Sequence, residues 1–145
     1  MTLSQPTVRP ADSPDAPAIS DLLYEFNGKA LRPEDLAQRL AEVQGTETVF
    51  LGEADNLLAG LLVLRTTPTL SGPEDWAEIT EMYVRPSSRR QGVGRALVEA
   101  AVEYARARGC TEVHLLVDPE NAVGLAFYAA LGFCRDSWEM VRAIV

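Results

Sequence analysis

The sequence predicts one domain of the α/β or α+β class, in which helices pack around a single mixed sheet. Segments with strand and helix periodicity alternate along the whole chain, in the order strand, helix, helix, three strands, helix, strand, helix and closing strands. The 145 residues are close to the commonest domain size, and they contain no evident linker, repeat or low-complexity tract. We therefore expect a single domain over residues 1–145.

Short apolar runs bounded by turn residues predict the strands. These runs cover residues 8–10, 48–53, 57–66, 76–84 and 113–117, with one or two closing strands within 133–144. Apolar residues at helical spacing predict four helices, and each of these helices is followed by a glycine. The four glycines are Gly28, Gly45, Gly109 and Gly132.

Composition and charge exclude several classes of protein. A net charge of −8 opposes non-specific binding to nucleic acid. No apolar stretch approaches the ~20 residues of a membrane helix, and no export signal is visible, so we expect a cytoplasmic location without a membrane partner. Two cysteines, Cys110 and Cys134, and one histidine are too few for a zinc site, so we expect no metal.

The segment 81–98 carries the most informative pattern, because a predicted strand leads through a glycine-containing loop into a predicted helix. Gly92 and Gly94 let a ligand approach the backbone, and the helix start offers free N–H groups to a phosphate. The loop lacks the P-loop lysine motif, and Leu97 stands where a dinucleotide fingerprint needs a third glycine. A tight turn that only packs the helix on the sheet is the alternative.

Four arginines lie within eleven positions of this segment, and no acid interrupts them. They are Arg85, Arg89, Arg90 and Arg95. A positive patch in an acidic protein suggests a small polyanionic ligand, although a solvated basic loop would have the same composition.

Two motifs of the chain resemble those of the GNAT N-acetyltransferases. Residues 89–94, Arg-Arg-Gln-Gly-Val-Gly, match the family's [Gln/Arg]-x-x-Gly-x-[Gly/Ala] acetyl-CoA motif, and residues 82–86 resemble the end of its fourth strand. Residues 121–133 resemble the segment Asn-x-x-Ala-x-x-x-Tyr-x-x-x-Gly-Phe, with Gly124 where Ala is usual. The resemblance extends from about residue 8 to 141. It implies a GNAT fold with a sheet of six to seven strands and about four helices, splayed between strands 4 and 5.

The resemblance also implies a set of residues that bind acetyl-CoA. The pantetheine arm would pair with the backbone of Met82 and Val84, and Asn121 would hydrogen-bond the arm, act as a helix N-cap, or do both. Arg89 and Arg90 would reach phosphates. The N–H groups that would hold the pyrophosphate belong to Gln91, Gly92, Val93, Gly94 and Arg95. Phe127 joins this set in the second motif, although it fits an apolar core on the same helix better than its neighbour Tyr128 does.

The implied reaction is direct acetyl transfer from a thioester to a primary amine. Tyr128 matches the general acid that protonates the leaving thiolate. A protonated amine cannot attack, so a base is useful, and a backbone N–H at or near Val84 would stabilise the oxyanion. Glu78 and Glu81 are the candidate bases, and a water chain is the alternative. Because an odd number separates them, a regular strand points them to opposite faces unless a bulge intervenes. We favour Glu81.

The motifs do not identify the acceptor amine. Acidic residues are frequent in the predicted acceptor region, and they favour a cationic small molecule or peptide. These residues are Glu25, Glu34, Asp35, Glu74 and Asp75. We expect Trp76 and Trp138 to fill the core rather than line the acceptor site, and a homodimer is plausible. The alternative function is a catalytically silent domain that binds acyl-CoA as a sensor.

Overall fold

The computed structural model describes residues 4–144, which divide after His114 into two compact units. The described chain contains five strands and four α-helices, so the mixed α/β class is confirmed, with fewer strands than the six or seven expected. A single domain over residues 1–145 stays a prediction.

The element boundaries agree with the sequence prediction to within a few residues, except towards the end of the chain. The strands are β1 Thr7–Pro10, β2 Glu47–Ala54, β3 Leu57–Thr67, β4 Trp76–Val84 and β5 His114–Leu115. The helices are α1 Ala16–Asn27, α2 Pro33–Glu42, α3 Val93–Ala107 and α4 Ala122–Ala130. Short 3-10 turns cover Ser13–Asp15 and Pro86–Ser88.

The strands of the sheet follow chain order, β1-β2-β3-β4-β5, and the three pairs β1–β2, β2–β3 and β3–β4 are antiparallel. Asp55 and Asn56 join β2 to β3 with φ angles of 52° and 64°. Two central residues with positive φ are the mark of a type I′ turn, whose twist matches that of the flanking strands.

Helices pack on both faces of this sheet. Ile19 and Leu22 of α1 and Leu36 of α2 form a buried cluster with one face of β2 and β3, which presents Leu51 and Leu61. The opposite face packs against α3, which contacts β2 and β3. Gly52 lies under the first turn of α3, and a Cβ there would come within 2.8 Å of the Val93 Cγ1 atom. The small residue therefore lets α3 approach β2 closely.

The second unit contains α4 and the extended segment that follows it. Residues 133–144 contain no strand, so the predicted closing strands are absent from the described chain, and the predicted strand 113–117 is only His114–Leu115. Trp138, Met140 and Ile144 are 83%, 95% and 98% exposed. These apolar side chains therefore bury little surface that could stabilise strand pairing in this segment. The prediction that Trp138 lies in the core is wrong.

Two further features concern the described residues as a whole. None of the helices found between residues 4 and 144 has the length and apolarity needed to cross a membrane. In the same part of the chain, no group of three or more His, Cys, Asp or Glu side chains is arranged to hold a metal ion.

Candidate active site

A β-bulge in β4 brings the two candidate bases to one face of the sheet. Glu81 is opposite Val63 of β3 and Ile79 is opposite Leu64, so Thr80 is an extra residue without a partner of its own. Glu78 is opposite Arg65, which lies on the same face of β3 as Val63. The two glutamates therefore share the face against which α1 packs.

The two carboxylates differ in what they contact. Glu78 Oε2 accepts a hydrogen bond of 3.2 Å from the indole Nε1 of Trp76, which is two residues away on the same face. Glu81 is half-buried, and its carboxylate has no hydrogen bond or ion pair with any residue from 4 to 144. Of the two carboxylates, Glu81 is the one with neither oxygen engaged by a described residue, whereas Glu78 has one oxygen engaged.

Trp76 lines a cleft instead of filling the core. Its ring is stacked on the imidazole of His114, with centroids 3.8 Å apart and an angle of 10° between the planes. The residue is 42% exposed, and it borders a cleft of about 200 Å³ at the start of β4. The prediction that Trp76 lies in the core is therefore wrong. The sequence held no signal for this pair, because 38 positions separate the two rings.

The four clustered arginines do not form one patch. Arg85 Nε lies 3.0 Å from Glu25 Oε2 of α1, and Arg85 Nη1 donates a 2.8 Å hydrogen bond to the Leu58 carbonyl oxygen. Arg89 Nε donates to the carbonyl oxygen of Val84 at 3.2 Å. Arg90 and Arg95 are exposed, and their side chains make no ion pair within the described chain. Arg85 is thus tied to α1 and β3, and the other three remain beside the loop.

The loop between β4 and α3 contains two residues with positive φ, Arg90 and Gly92, just before the first turn of the helix. Gly92 is the N-cap of α3 and has a φ angle of 84°, which a residue without Cβ adopts readily. Arg90 has a φ angle of 63°, which is strained for a bulky side chain. The first N–H groups of α3, from Val93 onward, have no partner within the helix, and they carry the positive end of its dipole. This arrangement suits a phosphate or pyrophosphate group.

The first turn of α4 in the second unit is held by Asn121. Its Oδ1 atom accepts a 2.9 Å hydrogen bond from the Gly124 N–H, so Asn121 is an N-cap. A Cβ at Gly124 would lie 2.9 Å from the Asn121 Cγ atom, which is too close. Gly124 thus leaves room for the Asn121 amide.

Tyr128 lies on the same helix among aromatic rings. Its ring meets those of Phe127 and Phe133 edge-on, with centroids 5.1 and 5.7 Å away. Phe127 and Tyr128 are both half-buried. Burial raises the pKa of the Tyr128 phenol, so the hydroxyl keeps its proton at neutral pH and can act as a donor.

Comparisons with known proteins agree with this fold. The model of the acetyltransferase (GNAT) family matches residues 16–133. An aminoglycoside N(6')-acetyltransferase type 1 from Stenotrophomonas maltophilia is 34% identical over 140 residues, which cover 92% of this chain and 89% of that protein. A mycothiol acetyltransferase from Amycolatopsis mediterranei is 31% identical over 133 residues, or 83% of this chain.

Solved structures resemble the chain at lower identity. A Trypanosoma brucei acetyltransferase has a TM-score of 0.84 at 23% identity, covering 97% of this chain and 100% of that one. The aminoglycoside N-acetyltransferase AAC(6')-Iy, solved in complex with CoA, has a TM-score of 0.83 at 17% identity and covers 99% and 97%. These two show the fold alone.

The fold and the family match together define an acetyltransferase domain. The chain belongs to the acetyltransferase (GNAT) family, which confirms the resemblance found in the sequence. Its matches span only part of some relatives: 44% of the mycothiol acetyltransferase, and 25% of an N-acetyltransferase from Methanocaldococcus jannaschii that is 47% identical over 57 residues.

Proposed function

We propose that this chain transfers the acetyl group of acetyl-CoA to a primary amine. The observation that carries the proposal is the bulge in β4, which presents Glu81 with unengaged carboxylate oxygens on the strand that precedes the glycine loop and the start of α3. A base and a phosphate-binding turn at one strand are two of the parts that acetyl transfer from a CoA thioester uses.

The β4–α3 loop is the proposed binding site for the pyrophosphate. The N–H groups of Gln91, Gly92, Val93, Gly94 and Arg95 would hold it, with Arg89 and Arg90 adding positive charge. The backbone of Met82 and Val84 would bind the pantetheine arm. In the second unit, the proposed contacts come from Asn121 and Phe127.

The proposed chemistry requires a base, an acid and an oxyanion donor. The amine nitrogen forms a bond to the acetyl carbon, and the bond from that carbon to sulfur breaks. Glu81, directly or through water, takes the proton that the nitrogen loses, and the Tyr128 hydroxyl gives a proton to the departing thiolate. A backbone N–H at or near Val84 would stabilise the oxyanion. Glu78 is the second candidate base.

The names of the relatives support a class of acceptor. The matched proteins include enzymes named for aminoglycosides, which are polyamines, and for mycothiol. A cationic small molecule or peptide is therefore the proposed acceptor. A cytoplasmic location and a homodimer, with no nucleic-acid or membrane partner, complete the proposal.

The first test measures binding separately from turnover. Acetyl-CoA, CoA and ATP are titrated into the folded, ligand-free protein, and heat release is recorded. We expect micromolar binding of acetyl-CoA and CoA without binding of ATP. A folded sample that does not bind acetyl-CoA overturns the proposal. Binding without CoA release across a panel of amines instead supports the silent sensor.

The second test compares Glu81→Gln with Glu78→Gln, two variants of equal size on one face of β4. Loss of the base is expected to lower kcat about 100-fold in Glu81→Gln, with an unchanged KM for acetyl-CoA. Glu78→Gln should lower kcat less, because the Trp76 indole already engages the Glu78 carboxylate. The reverse order would assign the base to Glu78.

A further inference from the structure

The cleft at the start of β4 lies away from the proposed phosphate loop, which follows the other end of the same strand. Its walls come from the β3–β4 connection, the first residues of β4, and a segment that ends at His114, the first residue of β5. The side chains that matter are Thr69, Glu74, Asp75, Trp76, Glu112 and His114.

Two aromatic rings form one wall of the cleft and are held in place. His114 covers one face of the Trp76 indole, and Glu112 Oε2 lies 3.0 Å from His114 Nε2. Trp76 Nε1 is fixed by Glu78. The indole is thus held at one ring face and at Nε1, and the residue is still 42% exposed. The face of an indole ring has a negative electrostatic potential, so it can attract a cation.

The charge of the lining has the matching sign. Glu74, Asp75 and Glu112 line the cleft, and none of the residues from 4 to 144 that line it is Lys or Arg. Other acids of the predicted acceptor region are neutralised: Glu25 pairs with Arg85 at 3.0 Å, and Asp35 pairs with Arg32 at 2.8 Å.

The cleft is aligned with the proposed base. Trp76 is opposite Thr67 and Glu81 is opposite Val63, so Trp76, Glu78 and Glu81 lie on one face of β4. Their partners on β3 are four positions apart, which corresponds to about 13 Å along the strand.

We propose that the Trp76 cleft binds a second ammonium group of the acceptor while its reacting amine lies at Glu81. This inference rests on the proposed function and narrows the acceptor to molecules with two cationic groups about 13 Å apart. Linear polyamines and aminoglycosides belong to this class. The indole and the carboxylates at Asp75 and Glu112 are the specificity-determining groups.

A matched series of acceptors tests this proposal. An α,ω-diaminoalkane of roughly nine methylene groups spans the distance, and the amino alcohol and the amino acid of the same length replace its second ammonium by a neutral or a negative group. We expect kcat/KM to be about tenfold higher for the diamine than for the amino alcohol, and lowest for the amino acid. This preference should be lost in Trp76→Ala and reduced in Asp75→Asn and Glu112→Gln. Glu99→Gln, on the exposed side of α3, is the control variant and should keep it.

A binding measurement separates this inference from the proposed function. In a Trp138→Phe background, Trp76 is the only tryptophan, and the diamine should change its fluorescence while the corresponding diol does not. If the diamine changes the Trp76 fluorescence but is acetylated at the same rate as the amino alcohol, the cleft binds amines without a role in acceptor recognition, and the proposal is overturned. Absence of the change would overturn the site itself. If no amine is acetylated, the proposed function fails, whatever the fluorescence shows.

Discussion

The Glu25 carboxylate, near the end of α1, lies 3.0 Å from Arg85 Nε at the exit of β4. Next to this pair, the rings of Phe26 and Tyr83 are stacked with centroids 5.3 Å apart. Both contacts tie α1 to the strand that leads into the glycine loop. The end of α1 is thereby fixed beside the strand that carries the candidate bases.

The Arg85 side chain should contribute more to stability than its ion pair alone. Glu25→Gln removes a partly exposed ion pair, and we expect a loss of about 0.5 kcal/mol in the free energy of unfolding. Arg85→Met also removes the hydrogen bond to the Leu58 carbonyl, so we expect a loss of about 1.5 kcal/mol. Urea unfolding of both variants and the double variant measures their coupling. Equal losses in the two single variants would contradict this assignment.

The strained backbone at Arg90 can be tested apart from its charge. Arg90→Gly and Arg90→Ala both remove the guanidinium, but only glycine adopts a φ angle of 63° without strain. We expect Arg90→Gly to be more stable than Arg90→Ala by about 1 kcal/mol in urea unfolding. Because both lose the same charge, we expect the same rise in KM for acetyl-CoA. Unequal KM values would show that backbone conformation, and not charge, determines binding.

Substitutions at Asn121 separate its two roles. Asn121→Asp keeps an oxygen that accepts from the Gly124 N–H but loses the amide donor, whereas Asn121→Ala loses both. We expect Asn121→Asp to unfold at nearly the wild-type temperature and Asn121→Ala to lose about 1 kcal/mol. If the amide binds the pantetheine arm, both variants raise KM for acetyl-CoA. An unchanged KM in Asn121→Asp would leave only the capping role.

Burial of Tyr128 predicts a particular dependence of stability on pH. Burial raises the pKa of the phenol in the folded protein above its unfolded value of about 10. The neutral phenol therefore contributes its full stabilisation to the folded state below pH 10, and this contribution is lost as the pH rises through the folded pKa. The Tm of the wild type and of Tyr128→Phe is measured from pH 8 to 11. The wild-type Tm should fall relative to that of Tyr128→Phe at high pH. A constant difference would mean that the phenol titrates alike in both states.

The same tyrosine is the candidate acid of the transfer reaction. We expect Tyr128→Phe to lower kcat by about 10²- to 10⁴-fold, because the variant lacks the hydroxyl proposed to protonate the thiolate. The control is the affinity for acetyl-CoA, measured by titration, which should change little. A variant with wild-type kcat would exclude Tyr128 as the acid.

The sequence predicted those features that depend on neighbouring residues. The bounds of β4 and the start of α3 follow from local periodicity and from the glycines of the loop. The bulge at Thr80 could not be located, because it depends on how β4 aligns with β3. The Trp76–His114 stack is likewise a contact between distant segments. The apolar side chain of Trp138 led us to expect that it lies in the core. It is exposed, since no described residue covers it.

The Asp55-Asn56 turn has a consequence for the rate at which the chain folds. Among the paired strands β1 to β4, β2 and β3 are joined by the shortest loop. The chain between β1 and β2 is much longer, because it contains α1 and α2. Short loops close at the lowest entropic cost, so the β2–β3 hairpin is expected to precede β1 on the route to the native state. Replacing Asn56 with glycine, which suits positive φ, should then speed refolding and leave the unfolding rate almost unchanged.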